Sequence, residues 1–323
     1  MVDSSSIDVL QPVLILLPMH DFIEIPLVKK FKFLKAFEAE EGRDQFLEKH
    51  AEIIKVILCT GFTPVNAETI SKLPRLECVI AVSTGVNLID LDACRERSVR
   101  VTNAGTAYSE DTADYGVGLL MDVCRRISAA DSFVRQGLWS ANRDCPYFGS
   151  SLGGKRVGMI GLGNIGASIA KKVASFGCEM SYTTRSQKET VPYKYYPTVL
   201  ELASNNDVLV VCCALTKETT HIVNRDVMLA LGKEGVVINI GRGPLIDEKE
   251  LVKCLLNGEI KGAGMDVFEN EPEVPKEFYG MDNVVLSPHS APLTPESLEN
   301  VVELSIANLN NVFAKRPLLS VVV

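Results

Sequence analysis

The chain reads as an α/β protein of two units, each a parallel sheet wound with helices, and three observations predict it. Its 323 residues are long for one compact α/β unit and match about two domains of ordinary size. Short β-rich runs alternate with helical patterns in both halves, the mark of parallel strands joined by crossover helices. In the second half one such run, Val157–Ile160, passes directly into Gly161-Leu162-Gly163-Asn164-Ile165-Gly166 and then into a helical pattern.

In the first half, strand-like runs lie at Val13–Leu17, in part of Ile25–Ala39, and at Ile53–Cys59, Leu76–Val82 and Arg100–Asn103. Asn66–Leu73 and Leu91–Arg97 read as crossover helices, the first capped by Asn66 and closed before Pro74. This part has no glycine fingerprint of its own. Next, Ser109–Gln136 places Ala113, Val117, Leu120, Met121, Cys124 and Ile127 at helical spacing and reads as one long helix, straight or kinked. Gly137–Gly154 is a loop-like arm that carries Trp139, Tyr147 and Phe148. From Lys155 the strands recur at Arg156–Ile160, Glu179–Tyr182, Val208–Ala214, Gly235–Ile240, Gly262–Val267 and Val284–Ser287, as in a doubly wound nucleotide fold. A last helix, from about Pro295 to Phe313, comes too late to extend that sheet and is expected to return to the first domain. The division is therefore 1–105 plus 291–323 for substrate and 106–290 for a nucleotide. Both domains are Rossmann-like or flavodoxin-like, with a cleft between them.

The glycine spacing gives that nucleotide its place. Gly161 permits a tight turn, Gly163 lets backbone approach a pyrophosphate, and Gly166 lets the next helix pack against the strand, with the phosphates on N–H groups at its positive end. About 20 residues further on, a 2′-hydroxyl of ribose would require Asp or Glu, and the sequence has Thr184-Arg185-Ser186 instead. No acid repels a 2′-phosphate there, Arg185 can pair with it, and Thr184 and Ser186 can donate hydrogen bonds. NADPH is the expected cofactor.

Composition narrows the partners. A formal net charge of -8 is the wrong sign for a surface that neutralises nucleic-acid phosphates. The nine cysteines have no framework spacing, no CxxC occurs, and no His/Cys cluster has zinc spacing, so a reducing compartment and no metal are expected. The apolar segment Val9–Leu17 is interrupted by Gln11 and Pro12, is too short to span a bilayer and reads as a first strand. The C-terminus is not a peroxisomal address, which leaves the cytoplasm.

Ligands of such sheets bind beyond the carboxyl ends of the strands, where Arg242, Glu271 and His289 stand in the turns after the last three predicted strands. His20, His50 and His221 lie in the first domain or beside a polar helix start, which leaves His289 as the well-placed proton donor. Reduction of a 2-oxo acid by hydride needs a cation for the carboxylate, an acid for the carbonyl oxygen and a partner for that acid. Arg242, His289 and Glu271 supply these three parts, the carboxylate favouring and orienting the charged imidazole.

These residues resemble the D-isomer-specific 2-hydroxyacid dehydrogenases over essentially the whole chain. The signatures are Gly161–Gly166, Asn239-Ile240-Gly241-Arg242-Gly243, the run Gly264-Met265-Asp266-Val267-Phe268-Glu269-Asn270-Glu271-Pro272, and Ser287-Pro288-His289. Their separations, 29 residues from Arg242 to Glu271 and 18 from there to His289, are similar to those of the plant glyoxylate/hydroxypyruvate and hydroxyphenylpyruvate reductases. The resemblance implies that Arg242, Glu271 and His289 are catalytic and that Asp266 holds the nicotinamide carboxamide. It implies that backbone N–H groups of Ser83, Thr84 and Gly85 take the substrate carboxylate together with Arg242, and that His289 meets the substrate at its carbonyl oxygen. Counted with the cofactor-binding residues are Gly161, Leu162, Gly163, Asn164, Ile165, Thr184, Arg185, Ser186, Cys213, Ile240, Gly241, Arg242 and Asp266. Asp114 stands where many relatives carry Glu, and formate dehydrogenases carry Gln where Glu271 stands.

The implied reaction is NADPH-dependent reduction of glyoxylate, hydroxypyruvate or a phenylpyruvate to the D-2-hydroxy acid. The substrate side chain is expected near His20-Asp21-Phe22, the Ser83–Val86 loop and Tyr147 or Phe148 of a partner, in a homodimer joined through the long helix and arm at about 105–150. An NAD(H)-sensing corepressor of the same fold is the alternative.

Overall fold

The structure, a computed structural model, describes residues 10–323. Residues 1–9, including Val9 at the head of the apolar segment, lie outside the described residues. The described residues form two compact units, residues 10–108 with 294–323 and residues 109–293.

The first unit runs β1 (Pro12–Ile15), α1 (Asp21–Val28), β2 (Lys32–Lys35), α2 (Arg43–His50), β3 (Val56–Cys59), α3 (Ala67–Ser71), β4 (Cys78–Ala81), α4 (Leu91–Glu96) and β5 (Arg100–Thr102). All five strands are parallel, in the order β2-β1-β3-β4-β5. The helices start where short polar side chains cap them: Asn66 Oδ1 accepts from the Thr69 N–H at 2.9 Å and Asp90 Oδ1 from the Ala93 N–H at 2.9 Å. Ile25 belongs to α1, not to a strand. His20 Nδ1 caps that helix, accepting from the Phe22 N–H, so the turn leading in favours helix despite Pro26.

In the second unit come α5 (Ser109–Arg125), α6 (Ile127–Arg135), α7 (Leu138–Asn142), β6 (Arg156–Ile160), α8 (Asn164–Ala174), β7 (Glu179–Thr183), β8 (Lys194–Tyr195) and α9 (Val199–Ser204). They are followed by β9 (Val208–Val211), α10 (Arg225–Leu231), β10 (Val236–Asn239), α11 (Glu248–Leu256), β11 (Gly262–Met265) and β12 (Val284–Leu286). The seven strands are parallel in the order β12-β11-β10-β9-β6-β7-β8, so the strand sequence reverses between β6 and β9. That reversal is the topological switch point at which such sheets open a crevice. β9, β10 and β11 are buried at every residue and β6 at all but Arg156, as a sheet covered by helices on both faces requires.

The single long helix expected over Ser109–Gln136 is instead two. Arg126 sits in the left-handed region (φ 60°, ψ 37°), and Asp122 turns its carboxylate to cap the new start, accepting from the Ser128 N–H at 2.8 Å. A local cap thus overrides the continuous apolar periodicity. The last element, α12 (Pro295–Phe313), belongs to the first unit, where Leu298, Val301, Val302, Leu309 and Val312 pack with Ile23, Leu27 and Ile80.

Candidate active site

The glycine turn is built as its spacing requires. Gly161 has φ +96°, and a Cβ there would stand 2.7 Å from the Cys213 backbone; a Cβ at Gly166 would stand 2.6 Å from the Gly161 carbonyl oxygen. A Cβ at Gly163, by contrast, would meet no atom within 4 Å, so what this glycine keeps open is space at the start of α8 rather than a contact within the protein. That N-terminus receives no side-chain cap, while Thr198, Asn224 and Asp247 cap α9, α10 and α11. Room plus uncapped N–H groups at Asn164 and Ile165 fit a pyrophosphate. Cys213 forms the wall of the turn and Cys212 reaches the Gly161 carbonyl through Sγ at 3.1 Å. Burial pushes the Cys213 thiol up to about 11, so it stays a neutral lining group.

Beyond β7, the Thr184 hydroxyl donates to the Ser186 carbonyl at 2.7 Å. It therefore shapes the turn, and Arg185 and Ser186, both exposed, are the groups that face outward. Sequence reasoning missed Lys188. Its ammonium donates to the Leu162 carbonyl at 2.7 Å, inside the glycine turn itself, while its backbone N–H donates to the buried Tyr182 hydroxyl at 2.8 Å. A second cation thus stands beside the glycine turn, close in sequence to Arg185. A lysine in a run of exposed polar residues carries no sequence signal of this.

Arg242 leaves β10 on a shaped loop. Asn239, fully buried, accepts from the Gly241 N–H at 3.1 Å and donates to the Arg242 carbonyl at 3.0 Å. The Arg242 guanidinium donates to the Gly241 carbonyl at 2.7 Å. Burial lowers its pKa and the nearby Glu271 carboxylate opposes that. Gly243 is sterically obligatory, because a Cβ there would fall 1.8 Å from the Phe268 carbonyl carbon. Ile240 is buried beneath this loop.

His289 and Glu271 meet directly, Nδ1 to Oε2 at 2.8 Å. The other carboxylate oxygen, Oε1, accepts from the Phe268 N–H at 3.0 Å, which fixes the plane of the group. Burial would push the Glu271 carboxyl up, but the hydrogen bonds from His289 and Phe268 and the charges of His289 and Arg242 outweigh it and hold it below the usual range. The three residues nominated from the sequence therefore lie at the carboxyl ends of adjacent strands and act on one another.

Asp266 has work that the resemblance did not imply. It is 1% exposed; Oδ1 accepts from the Ser287 hydroxyl at 2.7 Å and the Ser290 N–H at 2.8 Å, and Oδ2 from the Ala291 N–H at 3.0 Å. Its carbonyl also accepts from the His289 N–H at 2.7 Å. His289 has φ +53°, a conformation uncommon for a side-chain-bearing residue, and this clamp holds it. Ser290 donates its hydroxyl to Tyr115 of α5 at 3.0 Å. Asp114, one residue earlier, pairs with Lys172 of α8 at 2.6 Å, so the departure from Glu keeps a carboxylate on the same helix pair.

Ser83, Thr84 and Gly85 follow β4 in the first unit. The Ser83 hydroxyl donates to the Gly85 carbonyl at 2.8 Å, and Asn103 holds the Thr84 carbonyl through Nδ2 at 2.9 Å. Tyr147 is held within its own chain, its hydroxyl 3.1 Å from Asp282 and its ring edge-on to Phe133, whereas Phe148 is 89% exposed. Among the described residues no group of three or more His, Cys, Asp or Glu could hold a metal ion, and no helix is long and apolar enough to cross a membrane.

Residues 117–291 match the family described as D-isomer specific 2-hydroxyacid dehydrogenase, NAD binding domain. The chain is 53% identical to a glyoxylate/hydroxypyruvate reductase of Arabidopsis thaliana over 304 residues, covering 94% of each, and 45% identical to the hydroxyphenylpyruvate reductase of Plectranthus scutellarioides, covering 96% of this chain and 98% of that one. Among solved structures it is similar to an NADPH-dependent glyoxylate/hydroxypyruvate reductase of Sinorhizobium meliloti in complex with NADP and malonate, with a TM-score of 0.88 at 32% identity over 96% of both chains. With a fingerprint turn, a half-buried His–Glu pair and a loop-held arginine at adjacent strand ends, and with relatives of this closeness along nearly its whole length, the chain belongs to the D-isomer-specific 2-hydroxyacid dehydrogenase family.

Proposed function

We propose that the protein reduces 2-oxo acids to D-2-hydroxy acids with NADPH, glyoxylate and hydroxypyruvate leading and phenylpyruvate and 4-hydroxyphenylpyruvate following. The observation that carries this reading is the His289–Glu271 pair beside Arg242 at the strand ends next to the glycine turn. Arg242 takes the substrate carboxylate, joined by the Ser83–Gly85 backbone. Gly161, Leu162, Gly163, Asn164 and Ile165 hold the pyrophosphate, Arg185, Ser186 and Lys188 the 2′-phosphate, and Cys213, Ile240, Gly241 and Asp266 line the nicotinamide end. Bound NADPH supplies the hydride. His289, oriented by Glu271, supplies the proton to the carbonyl oxygen, so no alkoxide is left unneutralised. The corepressor reading is not supported by the relatives, which are reductases.

The carboxylate and carbonyl contacts are common to every such acid, and an apolar pocket discriminates by only about 1–3 kcal/mol per methylene-sized difference, so several acids should be reduced. Measuring kcat/KM on the four acids with NADPH ranks them. Absence of turnover on all four removes the reading.

Two cations on one phosphate set the cofactor preference. Hydrogen bonds to charged groups are worth about 1.5–3 kcal/mol, so Arg185→Ala and Lys188→Ala should each raise the KM for NADPH by roughly 10–100-fold and leave that for NADH unchanged. Equal efficiency with both cofactors, unaltered in either variant, would defeat the assignment.

The residues 105–150 are proposed to join two copies. Ile127, Val134, Trp139 and Phe148 are each more than half exposed on consecutive elements, more apolar surface than one connection normally shows to water. Sedimentation at low micromolar concentration should show a homodimer; a clean 35.3 kDa species would remove it. Nine free thiols, eight of them buried or half-buried, fit a reducing compartment, and we place the protein in the cytoplasm.

A further inference from the structure

His221, set aside in the sequence as remote from the chemistry, stands at the junction of three loops. It follows β9, and its own N–H donates to the Pro244 carbonyl at 2.8 Å, two residues beyond Arg242. The same two segments run side by side for three residues: the Val223 N–H donates to the Leu245 carbonyl at 3.1 Å and the Asp247 N–H to the Val223 carbonyl at 3.0 Å. The loop after β9 and the loop after β10 are thus stitched together through their backbones.

The side chain makes the third connection. His221 Nε2 lies 2.5 Å from Glu269 Oε1, and Glu269 is in the loop after β11, two residues before Glu271. Glu269 is itself held from behind, its N–H donating to Glu248 Oε2 at 3.2 Å. Glu248, the second residue past Ile246 and only 6% exposed, starts the helix that follows the Arg242 loop. Its other ring nitrogen, Nδ1, has Asp247 Oδ2 at 3.9 Å. Like His289, His221 adopts φ +53°, a conformation uncommon for a side-chain-bearing residue, and its N–H bond to Pro244 ties that backbone down.

The two histidines are therefore used in parallel. Glu271 takes His289 and Glu269 takes His221, from alternate positions of one short segment. Phe268 between the strand and this segment is buried, and its backbone crowds Gly243, so a shift of the segment is felt directly at the Arg242 turn. The Glu269 side chain takes the histidine as its partner.

We propose that His221 is a positioning residue for the reductive chemistry: paired with Glu269, it locks the loops after β9, β10 and β11 into one frame that keeps Glu271 and Arg242 in register. The proposal rests on the reading of the protein as a 2-oxo acid reductase. His221 touches no substrate, and its effect passes through Glu269 to the Glu271 segment and through Pro244 to the Arg242 turn.

In His221→Ala, kcat for hydroxypyruvate should fall about tenfold and its KM rise, since displacements of an ångström at reacting groups cost up to about 10²-fold. The dissociation constant for NADPH should stay within about twofold, because the glycine turn and Lys188 are held by other contacts. Glu269→Ala should show the same loss, and the double variant should be no worse than either single one, as expected for residues acting as a unit. His221→Gln, which can still donate to Glu269, should recover most of the turnover. Additive losses, or full activity in both single variants, would overturn the proposal. Hydrogen exchange of the unliganded protein reads the same frame without any substrate: peptides covering residues 240–247 and 267–273 should lose protection in His221→Ala and keep it in His221→Gln. Unchanged exchange in His221→Ala sinks the positioning role whatever the wild type turns over, whereas loss of exchange protection with no wild-type turnover on any 2-oxo acid sinks only the reductase reading.

Discussion

In His289→Ala, turnover of glyoxylate or hydroxypyruvate should fall by about 10²–10⁴-fold, the usual worth of a positioned acid in proton transfer to a developing alkoxide. The loss should appear in kcat, because the proposed function gives the ring the reacting oxygen and leaves the substrate carboxylate to other groups. Its orientation is set twice, by Glu271 at 2.8 Å from Nδ1 and by the Asp266 clamp on its backbone, so the proton is presented from Nε2. A companion variant, Glu271→Gln, separates the charge of the pair from its geometry. The Glu271 carboxyl lies below the usual carboxylate range, so it is ionised throughout an assay between pH 5 and 9. Its stabilising contribution is fully present above the ordinary carboxyl value of about 4.3 and is lost as pH falls through the lowered one. In Glu271→Gln a neutral amide replaces the carboxylate that favours a charged partner, so the alkaline limb of reductive activity should move to lower pH. Stopped-flow and steady-state pH profiles check both. Wild-type turnover in His289→Ala, or an unmoved profile in Glu271→Gln, would mean that the pair is structural.

What the sequence could and could not carry follows from the range of each interaction. Buried parallel strands announce themselves locally as apolar runs, so the glycine turn and the strands other than the short, polar edge strand β8 were legible, as was the placement of Arg242, Glu271 and His289 just beyond strands. The break at Arg126 was not, because it depends on one side chain, Asp122, choosing a cap three-dimensionally available to it rather than on periodicity. Lys188, Asn239 and His221 were missed for a different reason. Each works by reaching a carbonyl or carboxylate that is distant in the chain or hidden in a turn: Leu162 for Lys188, the Arg242 carbonyl for Asn239, Glu269 for His221. Asp266 was noticed for a ligand, yet its burial and three donors, which come from residues 21–25 positions later, exist only once the sheet has formed.

Arg242→Ala should damage substrate binding and turnover together, lowering kcat/KM by about 10²–10⁴-fold. Removing water from the guanidinium lowers its pKa, but a group whose ordinary value exceeds about 12 stays charged, and Glu271 nearby favours that charge. A largely desolvated cation meeting a carboxylate makes two charge-assisted hydrogen bonds, each worth about 1.5–3 kcal/mol, and 3–6 kcal/mol corresponds to the stated loss. The loop that carries it is made for this one side chain: Asn239 fixes both ends of the turn, and Gly243 passes so close to Phe268 that no other residue fits. Arg242→Lys should recover little, since an ammonium cannot reproduce the planar two-point contact. Substrate-concentration series for both variants, with NADPH binding measured separately by fluorescence, locate the defect. If Arg242→Ala raises KM alone and leaves kcat intact, the arginine only gathers the acid and does not align it, and the geometry of the reaction would have to be carried by the first-unit loop and His289.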